Sequence, residues 1–164
     1  LYNFPEHTQC KIGPDMFRSL SKEFAHLAGI KDSGGDLQVS QAYKEAAPGS
    51  QVFVGSDRWA LDVLRRGLDG SVTGCGNPTP EFLVRLHSQW MAGDEETAAR
   101  TQQAFDVWTT FREGVPIHHL PLTKVALGAR IPKFPPYVRA PFVAADEASI
   151  KLIRSRLQEI IVSS

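Results

Sequence analysis

The chain is short of several things, and each shortage excludes a class of protein. It has two cysteines, Cys10 and Cys75, far apart in 164 residues. That is too few for a disulfide framework, and it sets the expectation of a reducing, cytoplasmic setting, or the mitochondrial matrix if a transit peptide precedes the chain. Neither sign of charge is in excess: 18 basic residues against 18 acidic leave a formal net charge of zero. Nucleic acid and anionic membrane surfaces are therefore not expected partners. No apolar run approaches the ~20 residues that span a bilayer. There is no short-period repeat and no low-complexity segment. The adjacent His118 and His119, whose rings are expected to point apart, have no Cys or carboxylate set around them, so no metal is expected. The Gly-rich stretch Thr73-Gly74-Cys75-Gly76-Asn77-Pro78 lacks the Gly-Lys-Ser/Thr end of a nucleotide loop. No secretory signal pattern opens the chain, and no initiator Met: Leu1 runs straight into Tyr2-Asn3-Phe4, which reads as the end of a strand with polypeptide expected upstream. With 42% hydrophobic and 22% charged residues, there is enough apolar material for an ordinary core.

The first half alternates strand and helix. Residues 1–4 read as a strand end. A helix is predicted over 14–27, with Pro14 in its first turn and Met16, Phe17, Leu20, Phe24 and Leu27 on one face. A strand follows over 27–31, and a helix over 36–47 closed by Pro48-Gly49. Gln51-Val52-Phe53-Val54-Gly55 is continuous enough to be a strand buried on both faces. A helix over 57–68 and a short strand over 71–74 complete four β/α units, so the expected fold class is α/β with a parallel sheet and right-handed crossovers. The second half is helical: 80–91, 95–111 with Ala98, Thr101, Phe105 and Trp108 as its inner stripe, 122–128, and 146–162 with Ile150, Ile153, Leu157 and Ile160 at helical spacing. Asp94-Glu95-Glu96 suits the positive end of a helix dipole. Arg65-Arg66 reads as a solvated helix face.

Lys31 ends an apolar strand and enters the turn Asp32-Ser33-Gly34-Gly35-Asp36. Burial disfavours an ammonium ion and frees the amine, and a free amine attacks ketones to give a Schiff base. A surface lysine at a strand end satisfies the same spacing. Tyr2 lies 29 residues earlier, one β-α unit. If the two strands are neighbours, ~4.8 Å apart, phenol and amine meet at the C-terminal edge of the sheet, where α/β proteins build their sites. A phenol beside an amine makes a proton relay, which carbinolamine formation, dehydration and C–C cleavage all need. Tyr2 could equally be a half-buried packing residue. Gly55, Ser56 and Asp57 follow the next strand and so share this rim. Gly55 permits close approach of a substrate, and Ser56 or Asp57 could bond substrate hydroxyls, although Asp57 could instead cap a helix starting at Arg58. Thr73, Gly74 and Cys75 end the last strand and are expected to line the pocket floor, with Cys75 a small buried hydrophobe.

Tyr2-Asn3-Phe4-Pro5, Gly29-Ile30-Lys31-Asp32-Ser33-Gly34-Gly35-Asp36, Gly55-Ser56-Asp57 and Tyr137-Val138-Arg139-Ala140-Pro141 resemble, in order and spacing, the dihydrodipicolinate synthase / N-acetylneuraminate lyase family. The resemblance covers the C-terminal half of a family member. It implies a (β/α)8 TIM barrel, here strands five to eight over 1–80, with the last barrel helix and a C-terminal helical extension over 81–164. It implies that Lys31 forms the imine with pyruvate, that Tyr2 shuttles protons, and that no cofactor is used. It also implies a homodimer or homotetramer. The family's Gly-Thr-Thr carboxylate-binding segment, and a tyrosine donated across a subunit interface, belong to the other half. Tyr137–Pro141 is a family hallmark expected to pack the extension on the barrel.

One departure bears on the substrate. Dihydrodipicolinate synthases carry an arginine two residues after the Tyr-Asn-x-Pro motif, which grips the aldehyde substrate's carboxylate. Here that position is His7, and a neutral imidazole cannot make a guanidinium's bidentate, permanently charged clamp. The next family position, a glycine, is Gln9. The expected activity is a pyruvate-dependent aldolase or lyase of the 4-hydroxy-2-oxoglutarate or 2-keto-3-deoxy sugar acid type. The alternatives are condensation of pyruvate with aspartate semialdehyde, or a non-catalytic half-barrel that needs its missing N-terminal half.

Overall fold

The computed structural model describes residues 1–162; Ser163 and Ser164, the end of the expected extension, lie outside the described residues. The chain divides into two compact units, residues 1–73 and 74 onward.

The first unit holds four parallel strands in the order β1 (Tyr2–Asn3), β2 (Gly29–Asp32), β3 (Gln51–Val54) and β4 (Gly70–Ser71). Between them run α1 (Pro5–Thr8), α2 (Pro14–Glu23), α3 (Leu37–Ala46) and α4 (Ala60–Arg65). Strand residues alternate between faces. Ile30, Asp32, Val52 and Val54 are buried with Phe17, Tyr43, Val63 and Leu68. On the opposite face Gly29, Lys31 and Phe53 are half-buried and Gln51 is exposed. Gly29 sits where a Cβ would lie 2.1 Å from the Gln51 carbonyl oxygen, so only glycine lets β2 and β3 approach.

Several boundaries differ from expectation for local reasons. The helix predicted to Leu27 stops at Glu23, because Phe24 turns extended (φ −113°). Ten helical residues rise ~15 Å, about the length of the strand they return along. The following strand starts at Gly29, not Leu27. Of the apolar face predicted for α2, only Phe17 is fully buried, while Met16 and Phe24 are exposed. The helix predicted over 57–68 is confined to 60–65 and ends in a Schellman motif: Gly67 (φ +68°) donates to the Leu64 carbonyl and Leu68 to that of Val63. The last strand is Gly70–Ser71, because β3 offers partners only to Phe53↔Gly70 and Val54↔Ser71. Thr73 and Gly74 therefore lie beyond it rather than at its end. α1 was not foreseen; Pro5 opens it and Gln9 closes it in the left-handed region (φ 55°).

The second unit consists of α5 (Pro80–Met91), α6 (Glu95–Gly114), α7 (His119–Leu127) and α8 (Glu147–Val162) around Phe82, Phe105, Trp108, Leu122, Val125, Ile153 and Leu157. The stripe Ala98, Thr101, Phe105, Trp108 is buried as predicted. α7 begins earlier than predicted: Pro121 is tolerated because N–H groups of a first turn have no intrahelical partner. Asp94 caps α6 by accepting from the Thr97 N–H at 3.0 Å. The rings of His118 and His119 do not point apart but lie 4.1 Å from each other, and His118 Nδ1 accepts from the Leu120 N–H. Among the described residues, no helix is long and apolar enough to cross a membrane and no His/Cys/Asp/Glu group could hold a metal.

Candidate active site

Parallel pairing makes Tyr2 and Lys31 direct register partners. Side chains on one face of adjacent strands stand side by side, and the Lys31 Nζ lies 4.1 Å from the centre of the Tyr2 ring. Tyr2 is 47% exposed and Lys31 half-buried, so the pair sits at an accessible rim rather than in a sealed core.

Ser33, two positions beyond Lys31 and on the same face, donates its hydroxyl to the Tyr2 phenol oxygen at 3.3 Å. Partial burial works to raise the phenol's pKa. The Ser33 hydrogen bond, and then the hydrogen bond and positive charge of Lys31, outweigh it and leave Tyr2 below its ordinary value. The phenol is thus tuned toward giving up its proton by the groups that touch it.

Gly55 completes this cluster. A Cβ there would fall 2.2 Å from Ser33 Oγ and 3.4 Å from Lys31 Cε. Its amide donates to the Asp32 carbonyl at 2.8 Å, which brings β3's end against the Lys31–Ser33 segment. On the other side Tyr2 stacks on Phe4 (centroids 5.4 Å) and Phe4 on His7 (4.0 Å), so a ring ladder runs from the lysine to the exposed imidazole.

The structure therefore brings Tyr2, Lys31 and Gly55 together and links His7 to them through Phe4. Ser56 is half-buried and Asp57 buried. Asp57 is not the residue that precedes a helix: α4 starts at Ala60 with Trp59 as its cap. Thr73 ends the first unit and Gly74 begins the second. Cys75 is buried, as expected of a small hydrophobe, and its carbonyl accepts from Trp108 Nε1 at 3.4 Å. Sequence reasoning missed Ser33, Phe4 and the pair Asn3/Asp32. The signal for Ser33 was available in the strand period: residue 33 shares a face with residue 31.

Four parallel strands in chain order, with helices packed on one face and a lysine and a phenol at the rim of the other, have the form of half of a (β/α)8 barrel. Comparison with known proteins gives the family. Residues 1–160 match the model of the Dihydrodipicolinate synthetase family, and the chain belongs to it. It is 30% identical to the 4-hydroxy-tetrahydrodipicolinate synthase of Salinibacter ruber over 91% of this chain and 49% of that protein. It is 33% identical to the 2-dehydro-3-deoxy-D-gluconate/2-dehydro-3-deoxy-phosphogluconate aldolase of Thermoproteus tenax over 65% of this chain and 33% of that one. Among solved structures it superposes on YagE of E. coli K12, a family protein crystallised with pyruvate. The TM-score is 0.84 and the identity 26%, over 98% of this chain and 55% of that one. The chain spans between a third and just over half of the length of these relatives. These relatives are lyases, and they include both synthases and sugar-acid aldolases.

Proposed function

We propose that this chain carries the imine-forming half of a pyruvate-dependent lyase, with residues 1–80 as barrel strands five to eight and 81–164 as the last barrel helix and helical extension. The Lys31 amine attacks the C2 carbonyl of a 2-oxo acid. The carbinolamine loses water as an iminium, and the iminium takes up the electron pair of the breaking C–C bond. Tyr2 gives and takes the protons these steps move. Gly55 leaves room beside the reacting nitrogen; Ser56 and Asp57, with Thr73 further along, are the candidates for the rest of the substrate. The observation that carries this reading is the register pairing of Tyr2 with Lys31.

The substrate class we propose is a 4-hydroxy-2-oxo acid or 2-keto-3-deoxy sugar acid, because His7 offers an imidazole stacked on Phe4 rather than a guanidinium fork. The second reading, condensation of pyruvate with an aldehyde, is favoured by the synthase of S. ruber, which matches over 91% of this chain. Turnover is proposed to need the four remaining strands, since an open sheet leaves edges unpaired. The test is borohydride trapping with pyruvate followed by intact mass and peptide mapping: an adduct on Lys31 is expected, and no adduct anywhere rejects the reading. A coupled assay of pyruvate release across 4-hydroxy-2-oxo acids, with the other half-barrel supplied, separates the two substrate classes.

A further inference from the structure

The face of the sheet opposite the lysine carries a second, buried constellation. Asn3 and Asp32 are register partners and are 0% and 1% exposed. The Asp32 carboxylate accepts from Asn3 Nδ2 (2.7 Å) and the Gly34 N–H (2.9 Å) on one oxygen, and from the Ser40 hydroxyl (2.6 Å) on the other. Asn3 Oδ1 in turn accepts from the Ile12 N–H at 3.0 Å. A buried carboxylate is costly unless donors surround it, and a leucine could fill the same space without that cost.

Each donor fixes something different. Asn3 holds β1 to β2, the Gly34 N–H holds the turn directly after Ser33, and Ser40 holds the first turns of α3. Asp32 itself lies between Lys31 and Ser33, the two residues that touch Tyr2. A slip of β1 by one residue would turn Tyr2 to the wrong face.

We propose that Asp32 is a positioning residue for the Tyr2–Lys31 pair: from the back of the sheet it sets the register at which phenol and amine meet on the front. The functional importance of that pair rests on the reading given above; the positioning itself is readable without turnover.

The readout is the ultraviolet titration of Tyr2 in a Tyr43→Phe/Tyr137→Phe background, since the Asp32 charge is one of the causes that hold Tyr43 up and its removal would move Tyr43 as well. The groups facing the Tyr2 phenol are Lys31 and Ser33, with His7 beyond Phe4; Asp32 and Tyr43 lie behind the sheet. Two effects of removing Asp32 have opposite signs. Deleting a nearby anion, taken alone, makes a phenol ionise more easily and moves the transition down. Losing the register separates Tyr2 from Ser33 and Lys31 and moves it up.

Positioning predicts an upward move in Asp32→Leu, and pyruvate trapping at Lys31 slowed about tenfold, the penalty of a misplaced reacting group. The exchange Asn3→Asp/Asp32→Asn, which rebuilds the cross-strand bond at unchanged net charge but turns an amide NH2 toward the Gly34 N–H, recovers part of both. Ser40→Ala, which removes one donor, gives a smaller move in the same direction and remains the deciding variant if the others do not fold. A transition at or below its wild-type position in a folded Asp32→Leu or Ser40→Ala variant overturns the proposal. A wild-type chain that forms no pyruvate adduct overturns the functional reading instead, while the titration still reports the positioning.

Discussion

Two glycine-to-alanine changes with almost the same clash distance are expected to fail in different ways. A Cβ at Gly29 would lie 2.1 Å from the Gln51 carbonyl oxygen, and a Cβ at Gly55 would lie 2.2 Å from Ser33 Oγ. The Gln51 carbonyl is main chain in the β2–β3 pairing and cannot step aside without parting the strands. Breaking two or three ladder bonds, each ~1 kcal/mol net, and exposing part of the Val52 side of the core costs roughly 3–4 kcal/mol, enough to unfold a marginal unit. Ser33 Oγ is the tip of a side chain that rotates away for about 1 kcal/mol. Gly55→Ala should therefore fold with a loss of about 2 kcal/mol in urea denaturation, the rotation and the Ser33 hydrogen bond it gives up together. In rotating, however, Ser33 abandons its 3.3 Å bond to the Tyr2 phenol. The lost bond, ~1 kcal/mol, corresponds to a rate of pyruvate trapping at Lys31 lower by about fivefold. The assay is parallel urea denaturation by far-UV circular dichroism and borohydride trapping read by intact mass. Equal stability losses in the two variants would refute the distinction between main-chain and side-chain clashes. A folded Gly55→Ala variant that traps pyruvate at the wild-type rate would refute the role given to the Ser33–Tyr2 contact.

Other expectations follow from the same geometry. Lys31→Met should fold and form no pyruvate adduct; an adduct of unchanged yield, on another lysine, would move the nucleophile elsewhere. Tyr43 is fully buried, packs edge-on against Phe17 and donates its hydroxyl to the Ile12 carbonyl; burial first, and the Asp32 carboxylate second, push it up to about 12. Its ordinary value is about 10, so the unfolded chain gives up this proton first; the stabilisation is whole below pH 10 and is lost as pH rises toward 12. The loss amounts to about 3 kcal/mol relative to Tyr43→Phe, and parallel stability–pH curves for the two proteins would contradict it. His7→Arg should leave trapping with pyruvate intact within about twofold, since His7 meets Tyr2 only through Phe4. With the other half-barrel supplied, it should shift preference toward substrates with a second carboxylate, as the panel assay would show.

The four-stranded parallel order and the pairing of Tyr2 with Lys31 were legible because both rest on robust signals. β/α alternation fixes parallel neighbours, and two residues one unit apart at strand ends must then share an edge. Boundaries were less legible, because they depend on partners. β4 is cut to Gly70–Ser71 by where β3 ends, and α2 stops where the chain must turn back to the sheet. α1 escaped notice because four residues carry no period; only Pro5 marks it. His118 and His119 were read as pointing apart on sequence adjacency alone, but their rings lie 4.1 Å from each other, with His118 Nδ1 capping α7.

What sequence reading could not weigh is the back of the sheet. Lys31 and Tyr2 stand out because amines and phenols have chemistry, whereas Asn3 and Asp32 look like ordinary polar residues at a strand end, where water would satisfy them. Their burial changes that: a carboxylate that receives three donors within 3 Å is committed to one geometry, because moving any donor strands a buried charge. The period of the strand then carries the constraint through the sheet. Residues 3 and 32 cannot be fixed on one face without fixing 2, 31 and 33 on the other. In a parallel sheet whose strands here are only two to four residues long, backbone pairing alone supplies few bonds to resist a slip. The buried polar knot is what makes the register of the Tyr2–Lys31 pair a single-valued property of the chain.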